Sequence, residues 1–230
     1  YRYEDFDFAD LILSLHEIPG LRRIRYTSPH PTDINAKVMD LYGFLPKLCP
    51  NLHLPLQAGS NSVLQRMRRD YTREEYLQKV DYLRKKRPDI AISSDIIIGF
   101  PGESEEDFCN TMDVVRQVEY SSIFSFKYSR RKYTAALKVE DDVPEEVKSE
   151  RLSRLQELQR QIQTRLNQRL VGSVQEVLAE THSRRDGQEL SGRTPCNRVV
   201  NFAGAEEALG AFHQVRINAA GPNSLAGSLL

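Results

Sequence analysis

The chain has 230 residues, 40% apolar and 28% charged, enough for one large or two smaller globular domains. Its 32 basic and 32 acidic side chains sum to zero, which excludes a polycationic tail protein but leaves room for local blocks of charge. No run approaches the roughly 18 apolar residues that span a bilayer, and no charged-then-apolar leader opens the sequence, so a soluble cytoplasmic chain with no membrane partner is expected.

From Leu21 to Ser129, short apolar or β-branched runs alternate with helix-like stretches. The predicted strands are 23–27 (RIRYT), 52–56 (LHLPL), 92–98 (ISSDIII) and 123–128 (IFSFKY). Thr72 with Glu75 fits the T-x-x-E capping box, in which each side chain satisfies the other residue's free N–H. Ser104, followed by Glu105, Glu106 and Asp107, places a cap and negative charge at the positive end of a helix. Strands roughly 30 to 40 residues apart leave room for crossover helices, so they should be parallel. The unbroken apolar run 96–98 suits a strand covered on both faces.

An acidic stretch, 140–150, leads into a long helix opened by Val143-Pro144-Glu145-Glu146. Leu152, Leu155, Leu158, Ile162, Leu166 and Leu170 give it one apolar face. The other face carries Arg151, Arg154, Arg160, Arg165 and Arg169 against Glu157, and reads either as a solvated face or as a surface that meets nucleic acid. After Gly172 the runs 173–180, 198–202, 212–218 and 224–229 are short, β-type and separated by Gly, Asn and Pro, as in a small all-β barrel. The expected division is an α/β domain over 1–143, a connecting helix over 144–170 and a β-barrel over 171–230.

Four parallel strands backed by helices do not close a barrel, so the first would expose an edge unless earlier strands paired with it. Residues 1–7 read as the middle of a loop, and 8–15 as a helix that should follow another strand. The expectation is a C-terminal portion of a larger protein.

Parallel α/β sheets bind ligands outside the carboxyl ends of their strands. Those ends are 27–31 (TSPHP), 53–60 (HLPLQAGS), 94–103 (SDIIIGFPGE) and 126–131 (FKYSRR). Each offers polar donors or a glycine through which a cofactor can approach the backbone. Taken singly, Gly59-Ser60 and Pro101-Gly102 are also ordinary strand-to-helix turns, and His53 also reads as a core histidine.

In order, HLPLQAGSNSVLQRMRRDYTREEY, SSDIIIGFPGESEEDF, FSFKYS and DDVPEEVKSERLSRLQ resemble the methylthiotransferase branch of the radical SAM enzymes. The segment SGRT at 191–194 with NRVVNF at 197–202 resembles that family's C-terminal TRAM module, in the version similar to the tRNA-modifying MiaB type. Two places depart from the pattern. Residues 131–136 (RKYTAA) replace a segment like Pro-Gly-Thr-Pro, and Cys196 stands where an acidic or small residue is common. The resemblance implies an α/β fold class: the C-terminal part of a partial (β/α) TIM-like radical SAM barrel, followed by a small all-β TRAM (OB-like) barrel.

The resemblance also implies a chemistry. The family cleaves S-adenosylmethionine reductively, and the resulting radical takes hydrogen from an adenine carbon that then receives a methylthio group. In the MiaB type the substrate is an isopentenylated adenosine in the anticodon arm of tRNA. Full-length members carry two [4Fe–4S] clusters and an electron donor such as flavodoxin or ferredoxin. The catalytic cluster requires thiolates spaced C-x-x-x-C-x-x-C, which Cys49, Cys109 and Cys196 lack, so the chain is expected to hold no metal and to be inactive alone.

For the cofactor, the resemblance puts Gln57 and Ser60 toward the ribose or amino-acid moiety, and Asp95 and Gly99 where adenosine packs. Phe126 would border the adenine. Arg69 would pair with the methionine carboxylate, or stand in solvent with Arg66 and Arg68. From Val171 on, five arginines face six acidic residues, so RNA binding would need a localised stripe. Arg184, Arg185, Arg193 and Arg198 are its candidates, while Phe202 reads as core more readily than as a stacking ring. The competing readings are a non-catalytic RNA-binding module, a methylthiotransferase for a ribosomal protein, and a phosphorylated-metabolite enzyme using Gly59-Ser60.

Overall fold

The computed structural model describes all residues except 1, 4, 28–29, 131–141, 184–186 and 188. An antiparallel hairpin, β1 (Arg2–Tyr3) and β2 (Phe6–Asp7), leads into helix α1 (Phe8–His16). Asp7 caps that helix by accepting from the Ala9 and Asp10 amides, while Asp10 accepts from the Asp7 amide. There follow α2 (Ala36–Leu41), β3 (Asn51–His53), α3 (Asn61–Arg66), α4 (Arg73–Lys86), β4 (Ala91–Ile98), α5 (Glu105–Val118), β5 (Ser122–Lys127) and α6 (Glu145–Gln168). The expected caps are in place: Thr72 forms its capping box with Glu75 at the start of α4, and Ser104 caps α5, where Asp107 completes a box of its own.

Strands β3, β4 and β5 form a parallel sheet in that order, with His53 opposite Ser93 and the run from Ser93 to Ile98 opposite Ser122 to Lys127. The expected strand 23–27 is not formed. A single parallel bridge, Ile24 to Leu48, stands in its place, with the Ile24 amide donating to Lys47 and the Cys49 amide to Ile24. The reason lies in the side chains: Arg23 and Arg25 reach away to the C-terminal barrel. The second strand also stops early. The Leu54 amide still donates to the Ser93 carbonyl, and the main-chain ladder with β4 resumes only at Gln57. Across the gap the Ser94 hydroxyl accepts from the Leu56 amide at 2.8 Å.

Alternation along the strands assigns the faces. Leu52, Leu54, Leu56, Ile92, Ile96 and Ile98 are buried against the helices. His53, Gln57, Asp95, Ile97, Phe124 and Phe126 lie on the opposite, partly open face. Helix α6 closes the helix layer: its Leu155 and Ile162 join the same core, and the Gln159 amide donates to the Tyr120 carbonyl. The arginines opposite are largely spoken for. Arg151 is buried on Glu103, Arg154 pairs with Glu105 and Glu150, Arg160 with Glu157, and Arg165 with Glu119. The expected basic face of this helix is therefore mostly an ion-paired seam, and Arg169 alone of the five has no ion pair among the described residues.

The C-terminal strands are β6 (Val174–His182), β7 (Glu189–Arg193), β8 (Val199–Ala203), β9 (Phe212–Ala220) and β10 (Leu225–Leu229). They close in the order β10-β8-β7-β6-β9, antiparallel except for β10 with β8, around a separate core of Val177, Ala179, Leu190, Val200, Phe202, Val215, Ile217 and Leu225. This is a five-stranded barrel of OB-like kind. Phe202 is fully buried, as a core residue should be. Among the described residues no helix is long and apolar enough to cross a membrane.

Candidate cofactor rim and nucleic-acid interface

At the carboxyl end of β3 the backbone of Gln57 is left-handed, with φ of 67°, a conformation that costs a non-glycine residue of the order of 1 kcal/mol. Two sheet hydrogen bonds hold it: its amide donates to Asp95 at 2.9 Å, and its carbonyl accepts from the Ile97 amide at 2.9 Å. Beside it, Asp95 is half-exposed, with its carboxylate 3.4 Å from His53 Nε2, and His53 Nδ1 lies 3.0 Å from the Ser93 hydroxyl. On the edge strand, Phe124 and Phe126 project onto the same face and are 57% and 54% exposed. The His53 ring meets Phe124 edge-on at 5.9 Å.

Arg69 follows the left-handed residue Arg68 at the end of α3. Its Nε is buried without a partner, and it has no ion pair among the described residues. The nearby Tyr71 hydroxyl donates to the Leu56 carbonyl at 2.9 Å, tying this segment to the residue before Gln57. Burial, opposed by the Arg69 charge, pushes the Tyr71 phenol up to about 12. Tyr71 therefore stays a neutral donor and adds no negative charge beside Arg69. An orphaned guanidinium N–H of this kind suits a carboxylate ligand.

The other expected residues are placed differently. Ser60 turns inward, and its hydroxyl donates to Asp107 and meets Ser62 at 2.9 Å. Burial alone would raise the Asp107 carboxyl, but hydrogen bonds from Ser60, Ser62 and Ser104 outweigh it and bring the pKa far below the usual range. Gly99, with φ of 71°, lies under the aliphatic stem of Lys148, and its amide donates to Glu103. Gly59 donates its amide to the Thr111 hydroxyl, and a Cβ there would stand 2.5 Å from the Thr111 backbone. That amide is not free to cradle a phosphate, which removes the metabolite reading.

In the barrel, Thr194 to Arg198 form a tight turn between β7 and β8. Asn197 is left-handed there with φ of 67°, and the Arg198 amide donates to the Thr194 hydroxyl. Arg193 and Arg198 flank this turn, with Arg193 3.3 Å from Glu180 and Arg198 bonded to the Asn167 side chain. Arg184 and Arg185, and the variant segment 131–136, lie outside the described residues. Sequence reasoning missed Phe124, although its two-residue spacing from Phe126 on a strand signals a shared face. Of the three cysteines, Cys49 is buried before β3, Cys109 is exposed on α5, and Cys196 sits in the β7–β8 turn.

Comparison with known proteins gives two family matches, the Radical SAM superfamily over residues 3–115 and the TRAM domain over 168–230. Among curated relatives, tRNA-2-methylthio-N(6)-dimethylallyladenosine synthase from Solibacter usitatus is 46% identical over 96% of this chain and 51% of its own length. The protein of the same name from Acidithiobacillus ferrooxidans is 49% identical over 95% of this chain and 49% of its own. The chain thus spans about half the length of the curated relatives it matches. Among solved structures, coproporphyrinogen III oxidase (HemN) from Escherichia coli, a radical SAM enzyme, is similar at 16% identity with a TM-score of 0.49, over 72% of this chain and 45% of that one. With a Radical SAM match over the residues that build the sheet and a TRAM match over those that build the barrel, the protein belongs to the radical SAM superfamily and carries a TRAM domain.

Proposed function

We propose that this chain is the half of a tRNA methylthiotransferase that faces S-adenosylmethionine with its sheet and grips RNA with its barrel. The substrate would be N6-isopentenyladenosine beside the anticodon, in the cytoplasm, with electrons from a small donor such as flavodoxin or ferredoxin. The two [4Fe–4S] clusters of the family would be held outside the residues present here. The domain division 1–143, 144–170 and 171–230 follows the same reading. Its main support is identity of 46% and 49% along nearly the whole chain to relatives bearing that synthase name.

When bound, S-adenosylmethionine would supply the hydrogen-abstracting radical. The chain's own residues would bind and orient it. Arg69, with its orphaned Nε, would take the carboxylate. Gln57, its backbone held by two sheet bonds, would present its side-chain amide to the polar moiety, and Asp95 would accept from a ribose hydroxyl or the adenine amino group. Gly99 would let the strand end come close, and Phe126 would cover the adenine face. Ser60 would act indirectly, by fixing the turn through Asp107. In the barrel, Arg193 and Arg198 would meet phosphates, with Arg184 and Arg185 on the same module.

The test is a salt titration with an anticodon stem-loop RNA. Arg193→Ala with Arg198→Ala is expected to weaken binding and to reduce the slope of log K against log salt by about two. An unchanged slope, or no RNA binding by the unaltered chain, overturns the assignment. Arg69→Ala is expected to weaken S-adenosylmethionine binding by about tenfold or more in calorimetry with the full-length protein.

A further inference from the structure

Where the barrel's β7–β8 and β9–β10 turns meet the open face of the sheet, the seam leaves a cleft of 190 Å³. Phe124 forms its aromatic wall, and Arg193, Arg198, Gln163, Asn197 and Asn223 are among the residues that line it. Among the described residues no acidic side chain lines it, and Arg198, bonded to a neutral amide, has no ion pair. The side-chain amides of Gln163 and Asn223 make no hydrogen bond among the described residues. An open ring face, free amides and guanidinium groups in one cleft are the means by which proteins hold an unpaired nucleotide: stacking, base-edge hydrogen bonds and phosphate contact.

We propose that this cleft is a subsite for one unpaired nucleotide of the RNA substrate, with the base stacked on Phe124, its edge read by Gln163 and Asn223, and the phosphate on Arg198. The inference rests on the tRNA reading above and adds the place where the loop is held. Phe124 and Phe126 are two residues apart on one strand, so the stacked base lies roughly 7 Å below the ring assigned to the cofactor adenine. The subsite therefore leads from the barrel toward the rim where the cofactor would lie. It holds a nucleotide at a fixed distance from that rim.

A synthetic anticodon stem-loop with 2-aminopurine in the loop reports on stacking directly. Binding to the unaltered chain is expected to quench its fluorescence. Phe124→Leu is expected to abolish the quench and weaken loop binding by about tenfold, while Phe124→Trp retains both. Affinity for a fully paired RNA duplex is expected to be the same in all three. Gln163→Ala with Asn223→Ala is expected to lower loop affinity several-fold and to change which loop base is preferred. Wild-type quench and affinity in Phe124→Leu overturn the subsite while RNA binding itself stands. If the unaltered chain binds no RNA at all, the tRNA reading falls and the subsite falls with it.

Discussion

Asp107 works at two helix starts at once. It completes the capping box of α5 with Ser104, and it receives the hydroxyls of Ser60 and Ser62 at the start of α3. Unfolded aspartate titrates near 3.9, and the folded carboxyl lies lower, so Asp107 contributes stability above about pH 4 that is lost as pH falls through the folded value. Asp107→Asn is expected to lower the melting temperature at neutral pH and to flatten its acid decline, as followed by circular dichroism between about pH 7 and 2. Gly59 makes a second residue-scale case. A methyl group there would press into the backbone of α5, so Gly59→Ala should cost roughly 2 kcal/mol or more in urea unfolding. The capping pairs were readable in sequence because their partners are three residues apart. The Ser60–Asp107 bond was not, because its partners are 47 apart and meet only through the fold.

Strand β4, with its unbroken apolar stretch, was legible from composition, as was the helical phase of α6. Two elements were misread for local reasons. The run 23–27 has strand composition, yet its arginines serve another layer, and in the run 52–56 the Leu56 amide turns to the Ser94 hydroxyl instead of the main chain of β4. The charged face of α6 reads differently in the fold because several of its carboxylate partners, Glu103, Glu105 and Glu119, come from α5 and its flanks. Arg151, only 6% exposed at the side chain, bonds Glu103 at 2.9 Å and Glu105 at 3.2 Å, and its guanidinium lies 5.6 Å from the centre of the Phe108 ring. Burial raises the Glu103 carboxyl, against the lowering pull of the Gly99 amide and Arg151. Arg151→Ala would strand that carboxylate and is expected to cost about 3 kcal/mol. Pairing Arg151→Met with Glu103→Gln should recover much of the loss, measured by the same urea unfolding in a double-mutant cycle.

At the scale of the molecule, two separate cores are joined by a polar seam. Arg23 donates to the main-chain carbonyls of Arg193 and Glu176, both at 2.8 Å, and to the Glu176 carboxylate at 3.1 Å. Arg22 reaches the same carboxylate and lies 3.9 Å from the centre of the Phe212 ring. From the other side, Asn167 of α6 donates to the carbonyls of Gly221 and Pro222. Arg23→Ala is expected to uncouple the parts, so that calorimetry resolves two unfolding transitions in place of one. Sequence periodicity marked each part but gave no sign of the seam, since its arginines look like ordinary surface charge until their acceptors, main-chain oxygens some 150 residues away, come into place.

Arg25 adds a consequence. Its guanidinium holds the carbonyls of Thr194 and Pro195 at 2.5 and 3.2 Å, while Arg23 holds that of Arg193, so the β7–β8 turn is clamped from behind along three successive peptide units. Rigidity is therefore installed when the protein folds, and under the RNA-binding proposal an incoming strand would find its docking knuckle already set. The entropy that a floppy loop would surrender on each encounter has been given up beforehand, which leaves more of every phosphate contact to appear as affinity.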